Sequence, residues 1–187
     1  MKKFGGVAAC GLFLFLAMTL PSRADESGNK VVLKTDSERI ELYKDYIGGP
    51  KENGVIHVLV KYPEMTPWRL GYDLRYQIYL AVATTRVWAL RGESLMERAT
   101  LRDSVEGVAH YTRRLGRKSA VQDIFRFVGS DGVPVTATAQ QGRLSFVVTR
   151  GLGTDFSVQY ACEVPNVNEL RVVDAKILKF LDLQETN

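Results

Sequence analysis

The sequence predicts an α+β fold: an antiparallel sheet made of a long hairpin and a four-strand meander, with a long central helix and a C-terminal helix covering one face. Three observations predict it. Glycine-bearing turns divide residues 121–163 into four short β-rich runs, close enough in sequence for neighbours to pair antiparallel. Apolar residues take every even position from Trp68 to Val82, the period of a strand face. Two segments, opening at Ser94 and at Asn166 or Asn168, combine helix start signals with apolar residues stepping at three and four.

The chain opens with a targeting pattern. Lys2 and Lys3 form a positive head, and Phe4 to Leu20 is almost entirely apolar or small. Pro21-Ser22-Arg23-Ala24 then presents small residues at the two positions a signal peptidase reads. Residues 1–24 are expected to be a secretory signal peptide and residues 25–187 one α+β domain. A retained N-terminal anchor is the alternative, since the apolar run is also near the lower limit for a membrane span. Val7-Ala8-Ala9-Cys10 resembles a lipid-attachment box, but it precedes most of the apolar run rather than following it.

Elements then follow in order. Val31 to Leu33 is a short strand. Asp36 or Ser37 can cap a short helix carrying Ile40, Tyr43 and Ile47 on one face, ended by Gly48-Gly49-Pro50. Val55 to Tyr62 is rich in β-branched residues and reads as a strand. The alternating stretch after Pro67 continues the hairpin, with a bulge or bend near Gly71. Thr66-Pro67 also fits a helix N-terminus, so a helix is the competing reading there. Thr84 to Leu90 extends the strand or starts another.

Ser94-Leu95-Met96-Glu97 has the form of a capping box. Leu101, Val105, Val108, Thr112 and Leu115 continue it as a helical stripe, and Gly116 stops it. The meander comprises Val121–Val128, Val133–Ala139, Leu144–Thr149 and Phe156–Glu163. The final helix has the stripe Leu170, Val173, Ile177, Phe180 and Leu181.

Charge and cysteine use narrow the function. The chain holds 25 Lys plus Arg and 21 Asp plus Glu. Cleavage after Ala24 removes Lys2, Lys3 and Arg23, leaving 22 basic against 21 acidic side chains and a net charge of +1. A near-neutral domain exerts no long-range pull on nucleic acid or anionic lipid. Cleavage also removes Cys10 and leaves Cys162 without an internal disulfide partner.

Catalytic motifs are sparse. His57 and His110 have no metal-ligand spacing around them, so no metal is expected. Cys162 shares the face of Phe156, Val158 and Tyr160 and reads as a small core residue. Gly151-Leu152-Gly153-Thr154 lacks the lysine and following helix of a phosphate loop, so it reads as a hairpin turn and no cofactor is implied.

Two concentrations offer contact surface. One is the aromatic series Trp68, Tyr72 and Tyr76, with Trp88 beyond it, whose side chains combine apolar area with a polar tip. The other is the basic cluster Arg113, Arg114, Arg117 and Lys118, suited to a phosphate or an acidic patch.

These features favour a non-catalytic periplasmic or secreted bacterial binding or accessory domain. It would recognise a protein partner or small ligand in the cell envelope, with no nucleic acid and no membrane span after cleavage. An immunity or inhibitor protein of an envelope-targeting toxin is one variant. A small periplasmic enzyme is another reading, with His57, His110, Asp73 and Cys162 as the groups that would have to converge. A purely structural envelope protein is a third.

Overall fold

The computed structural model describes residues 29–49, 51–116, 120–139, 145–182 and 184–185. The expected signal peptide, Cys10, Arg117 and Lys118 lie outside the described residues. Most of the structure is antiparallel sheet, joined by two helices, as an α+β fold requires.

The chain begins with a hairpin, β1 (Lys30–Lys34) and β2 (Glu38–Tyr43). This corrects the expected short helix over Asp36 to Ile47. Asp36 and Ser37 belong to the hairpin connection, and Ile40 and Leu42 are buried while Arg39 and Tyr43 are exposed, which is the period of a strand. Only Lys44–Tyr46 turns, as a single 3-10 turn.

Next come β3 (Val55–Lys61), the two-residue β4 (Thr66–Pro67) and β5 (Gln77–Ala83). The alternation from Trp68 to Val82 therefore becomes strand only from Gln77 onward. Gly71 sits at φ +97°, and Asp73 caps a 3-10 turn over Leu74–Tyr76 by accepting from the Arg75 amide at 3.0 Å. That local bond competes with the sheet ladder and delays strand pairing until Gln77.

Thr84 to Leu90 does not continue the strand. Helix α1 spans Val87–Met96, and Ser94 lies inside it, its hydroxyl donating back to the Arg91 carbonyl at 2.9 Å. The long central helix expected from the Ser94 capping box is absent. In its place is a hairpin of β6 (Thr100–Val105) and β7 (Val108–Arg114). The turn explains the change: Glu106 (φ 51°) and Gly107 (φ 78°) are both left-handed, as in a two-residue primed hairpin turn that no α-helix accommodates.

The meander agrees with expectation: β8 (Val121–Val128), β9 (Pro134–Ala139), β10 (Ser145–Leu152) and β11 (Phe156–Glu163). Helix α2 (Glu169–Leu181) follows, with the Glu169 amide donating to Asn166 Oδ1. A two-residue β12 (Gln184–Glu185) joins β2.

Nine strands form one sheet in the order β4-β3-β5-β11-β10-β9-β8-β7-β6, every pairing antiparallel. Side-chain direction along β10 and β11 sorts its two faces. Arg150 and Tyr160, which share one face, bond Asp174 of α2. On the other face, the Ser157 hydroxyl accepts from the Trp88 amide, and Thr149 lies against Gly92 of α1. The helices thus pack on opposite faces, not on one. Residues 146 and 148–152 of β10 are all buried, and a strand buried on both sides needs cover on both. The main core lies on the α2 side, where Leu33, Ile40, Val58, Leu80, Val158, Leu170 and Ile177 are fully buried.

Candidate functional site

The aromatic residues singled out in the sequence gather at one end of the sheet, beside β4. Trp68 and Tyr72 pack edge to face with ring centroids 5.5 Å apart, and Lys61 lies over the Tyr72 ring at 5.2 Å. Every residue from Arg69 to Tyr76 is exposed, so this is a projecting loop rather than a strand face lining a groove. Trp88 is elsewhere, on α1 and on the opposite face from α2.

The basic residues are separated from the aromatic group. Arg113 and Arg114 end β7, seven strand positions from β4 in the sheet order. Arg113 donates to the Ser94 and Leu95 carbonyls at 3.4 and 3.5 Å, so it satisfies the C-terminal end of α1. Arg114 is exposed at the strand end.

The four groups named for an enzyme do not converge. His57 faces the α1 side of β3, its Nδ1 bonded to the Tyr79 hydroxyl. His110, on β7, lies between Asp123 (Nε2 to Oδ1, 2.9 Å) and Asp103 (Nδ1 to Oδ1, 3.6 Å) and stacks on Phe125. Asp73 pairs with Arg75, whose guanidinium holds the carboxyl below its usual range. Cys162 is buried on the α2 side, and burial pushes its thiol up to about 12. No group of His, Cys, Asp and Glu suited to a metal occurs among the described residues.

A concave site exists that the sequence reading did not single out. A trough of about 510 Å³ runs along the outward side of α2, walled by the β8–β9 turn. Val128, Val172 and Ala175 give it an apolar lining, with Gly129 and Ser130 beside them. Arg171, Lys176 and Lys179 supply three cations. None of the three forms an ion pair among the described residues. Arg171 Nη1 instead donates to the Glu106 carbonyl at 3.0 Å, and Lys176 Nζ donates to the Pro63 carbonyl at 3.1 Å while lying over the Tyr62 ring.

The walls are anchored to a buried network. Arg150 reaches from β10 to Asp174 on α2 and to Asp131 in the β8–β9 turn. The turn that borders the trough and the helix that floors it are therefore tied to one guanidinium. A sequence signal existed: Asp174 falls within the apolar stripe of α2, where an unpaired carboxylate would be costly. The outward residues Arg171, Val172, Ala175, Lys176 and Lys179 were equally readable as a mixed basic and apolar helix face.

No protein-family model, curated protein or solved structure matches the chain.

Proposed function

We propose that the protein is an exported, non-catalytic binding protein that holds an acidic, partly apolar segment of a protein partner in the trough along α2. One observation carries the reading: Arg171, Lys176 and Lys179 line an apolar concavity with no carboxylate paired to them among the described residues. Buried apolar area supplies affinity in such a site, and complementary charge supplies orientation and encounter rate. From Arg171 to Lys179 is about 12 Å along a helix at 1.5 Å per residue, the reach of three or four extended residues of a ligand. The attraction is local, because the chain without residues 1–24 carries almost no net charge.

Export is supported by the Lys2-Lys3 head, the apolar run from Phe4 to Leu20 and the Ser22-Arg23-Ala24 ending. On this reading the encounter takes place in the periplasm or outside the cell.

A charge-swap titration tests the trough. A peptide alternating glutamate and leucine is expected to bind the protein and to lose affinity as salt rises. Arg171→Glu with Lys179→Glu should abolish that binding and confer binding of a lysine–leucine peptide instead. Equal binding of both peptides to both proteins would overturn the reading.

A further inference from the structure

The loop at the β4 end of the sheet presents apolar side chains that the protein itself leaves uncovered. Leu70 is 101 % exposed and Leu74 is 72 % exposed, with Tyr72 at 40 % and Tyr76 at 48 %. Single exposed leucines are ordinary on a protein surface. Two largely exposed leucines among three aromatic residues within nine positions are not.

The loop is also preorganised. Asp73 accepts from the Arg75 amide at 3.0 Å and forms a salt bridge with the Arg75 guanidinium at 2.6 Å. Trp68 packs against Tyr72, and the Trp68 amide donates to the Leu59 carbonyl at 3.2 Å. The leucines are therefore held outward instead of folding back over the sheet. Arg69, beside Leu70, is exposed and forms no ion pair among the described residues.

We propose that the loop from Trp68 to Tyr76 docks the protein on the surface of an anionic phospholipid bilayer, with Leu70 and Leu74 entering the acyl boundary. The chemistry is layered as a bilayer interface is layered. Leucine belongs in hydrocarbon, tryptophan and tyrosine at the headgroup level, and arginine at lipid phosphate. The surface is distinct from the α2 trough, so the two readings stand or fall separately.

Because the apolar run from Phe4 to Leu20 would itself bind lipid in an uncleaved chain, the test reads Trp68 directly. The chain has two tryptophans, Trp68 and Trp88. Trp88→Phe leaves Trp68 as the reporter, and Trp68→Phe leaves Trp88. Each protein is mixed with vesicles of phosphatidylcholine and phosphatidylglycerol carrying brominated acyl chains. Trp68 emission is expected to shift blue and to be quenched, while Trp88 emission is unchanged. Leu70→Asp with Leu74→Asp should raise the lipid needed for half-maximal quenching at least about tenfold. If Trp88→Phe folds poorly, the difference between the native protein and Trp68→Phe gives the same signal. Trp68 emission that ignores the vesicles, or quenching that survives the double aspartate substitution, overturns the proposal. Quenching that persists in vesicles of phosphatidylcholine alone, undiminished, overturns its anionic requirement.

Discussion

Arg150 and Asp174 meet at the centre of the molecule with side chains 0 % and 1 % exposed. The guanidinium also donates to Asp131 and, through Nε, to the Gly151 carbonyl at 2.9 Å, while the Tyr160 hydroxyl donates to Asp174 at 3.2 Å. Burial pushes the Asp174 carboxyl up and Arg150 pulls it back down. Removing one partner strands a charge in the core. Asp174→Leu or Arg150→Leu is expected to destabilise the protein by about 3–5 kcal/mol. The double substitution Arg150→Leu with Asp174→Leu should cost clearly less than the two singles added together. Urea denaturation of the four proteins measures the coupling, and strict additivity would contradict it.

Gly129 sits against the same network. A Cβ there would lie 2.7 Å from Arg150 Nη1, 2.8 Å from Asp131 Oδ1 and 2.9 Å from Asp174 Oδ2. Those atoms are fixed by their mutual bonds and have no room to retreat. Gly129→Ala is expected to destabilise by about 1–3 kcal/mol. Gly132→Ala meets nothing within 4 Å, but its φ of +81° makes it a test of backbone strain alone. Thermal unfolding of the two variants separates steric conflict from strain.

The β1–β2 hairpin is fastened to the β10–β11 turn by carboxylates. Glu38 accepts from the Thr154 amide and hydroxyl and from the Asp155 amide, and Asp155 accepts from the Ser37 hydroxyl at 2.6 Å. The hydroxyls of Ser37 and then Thr35 hold the Asp155 carboxyl below its usual range. A lowered folded value means that the unfolded chain binds the proton more readily. The contribution is therefore complete above the unfolded value of about 3.9 and is lost as pH falls through the lower folded one. Ser37→Ala should move the Asp155 titration midpoint upward in a carboxyl-resolved NMR titration. An unmoved midpoint would show that the hydroxyl does not hold it.

Cys162 should be chemically silent in the folded protein. With its thiol pushed up to about 12, the thiolate that alkylating reagents require is scarce at neutral pH, and the sulfur is also covered. Iodoacetamide is expected to label it only after denaturant unfolds the chain. Rapid labelling under native conditions would place the thiol at an open surface.

The meander and the last helix were legible because their local signals agree with their environment. The turns around Gly132 and Gly153 adopt the left-handed conformations that glycine favours, and Leu170, Val173, Ile177 and Leu181 all reach the core. The hairpin of β6 and β7 was not legible for a specific reason. Leu101, Val105, Val108 and Thr112 satisfy helical spacing and also fall opposite one another or their neighbours across a hairpin. Only the two left-handed residues of the turn decide between the two, and glutamate is an unusual occupant of that conformation.

The aromatic series shows the converse. Trp68, Tyr72 and Tyr76 alternate with polar residues as a strand would, yet a local Asp73–Arg75 bond turns the chain outward before pairing begins. The even-position spacing reads as one sheet face, whereas residues 69–76 form an exposed loop. The α2 trough has no compact run of charge to mark it in the sequence. Arg171, Lys176 and Lys179 are spread over nine positions and converge only when wound on a helix.

The seam between β5 and β11 bears on how the chain reaches its native state. Leu80 pairs with Tyr160, so β3 to β5 and the meander ending at β11 are joined across a loop that contains α1 and every strand from β6 to β10. Hairpins within the meander close short loops, whereas this seam closes a very long one. Closing so long a loop predicts slower folding than the meander hairpins alone would give, with the seam expected to form after them. Until then, the edge of β5 that β11 later covers stays open to any other strand. The consequence is an expected interval in which an unpaired strand edge is available for pairing with other chains.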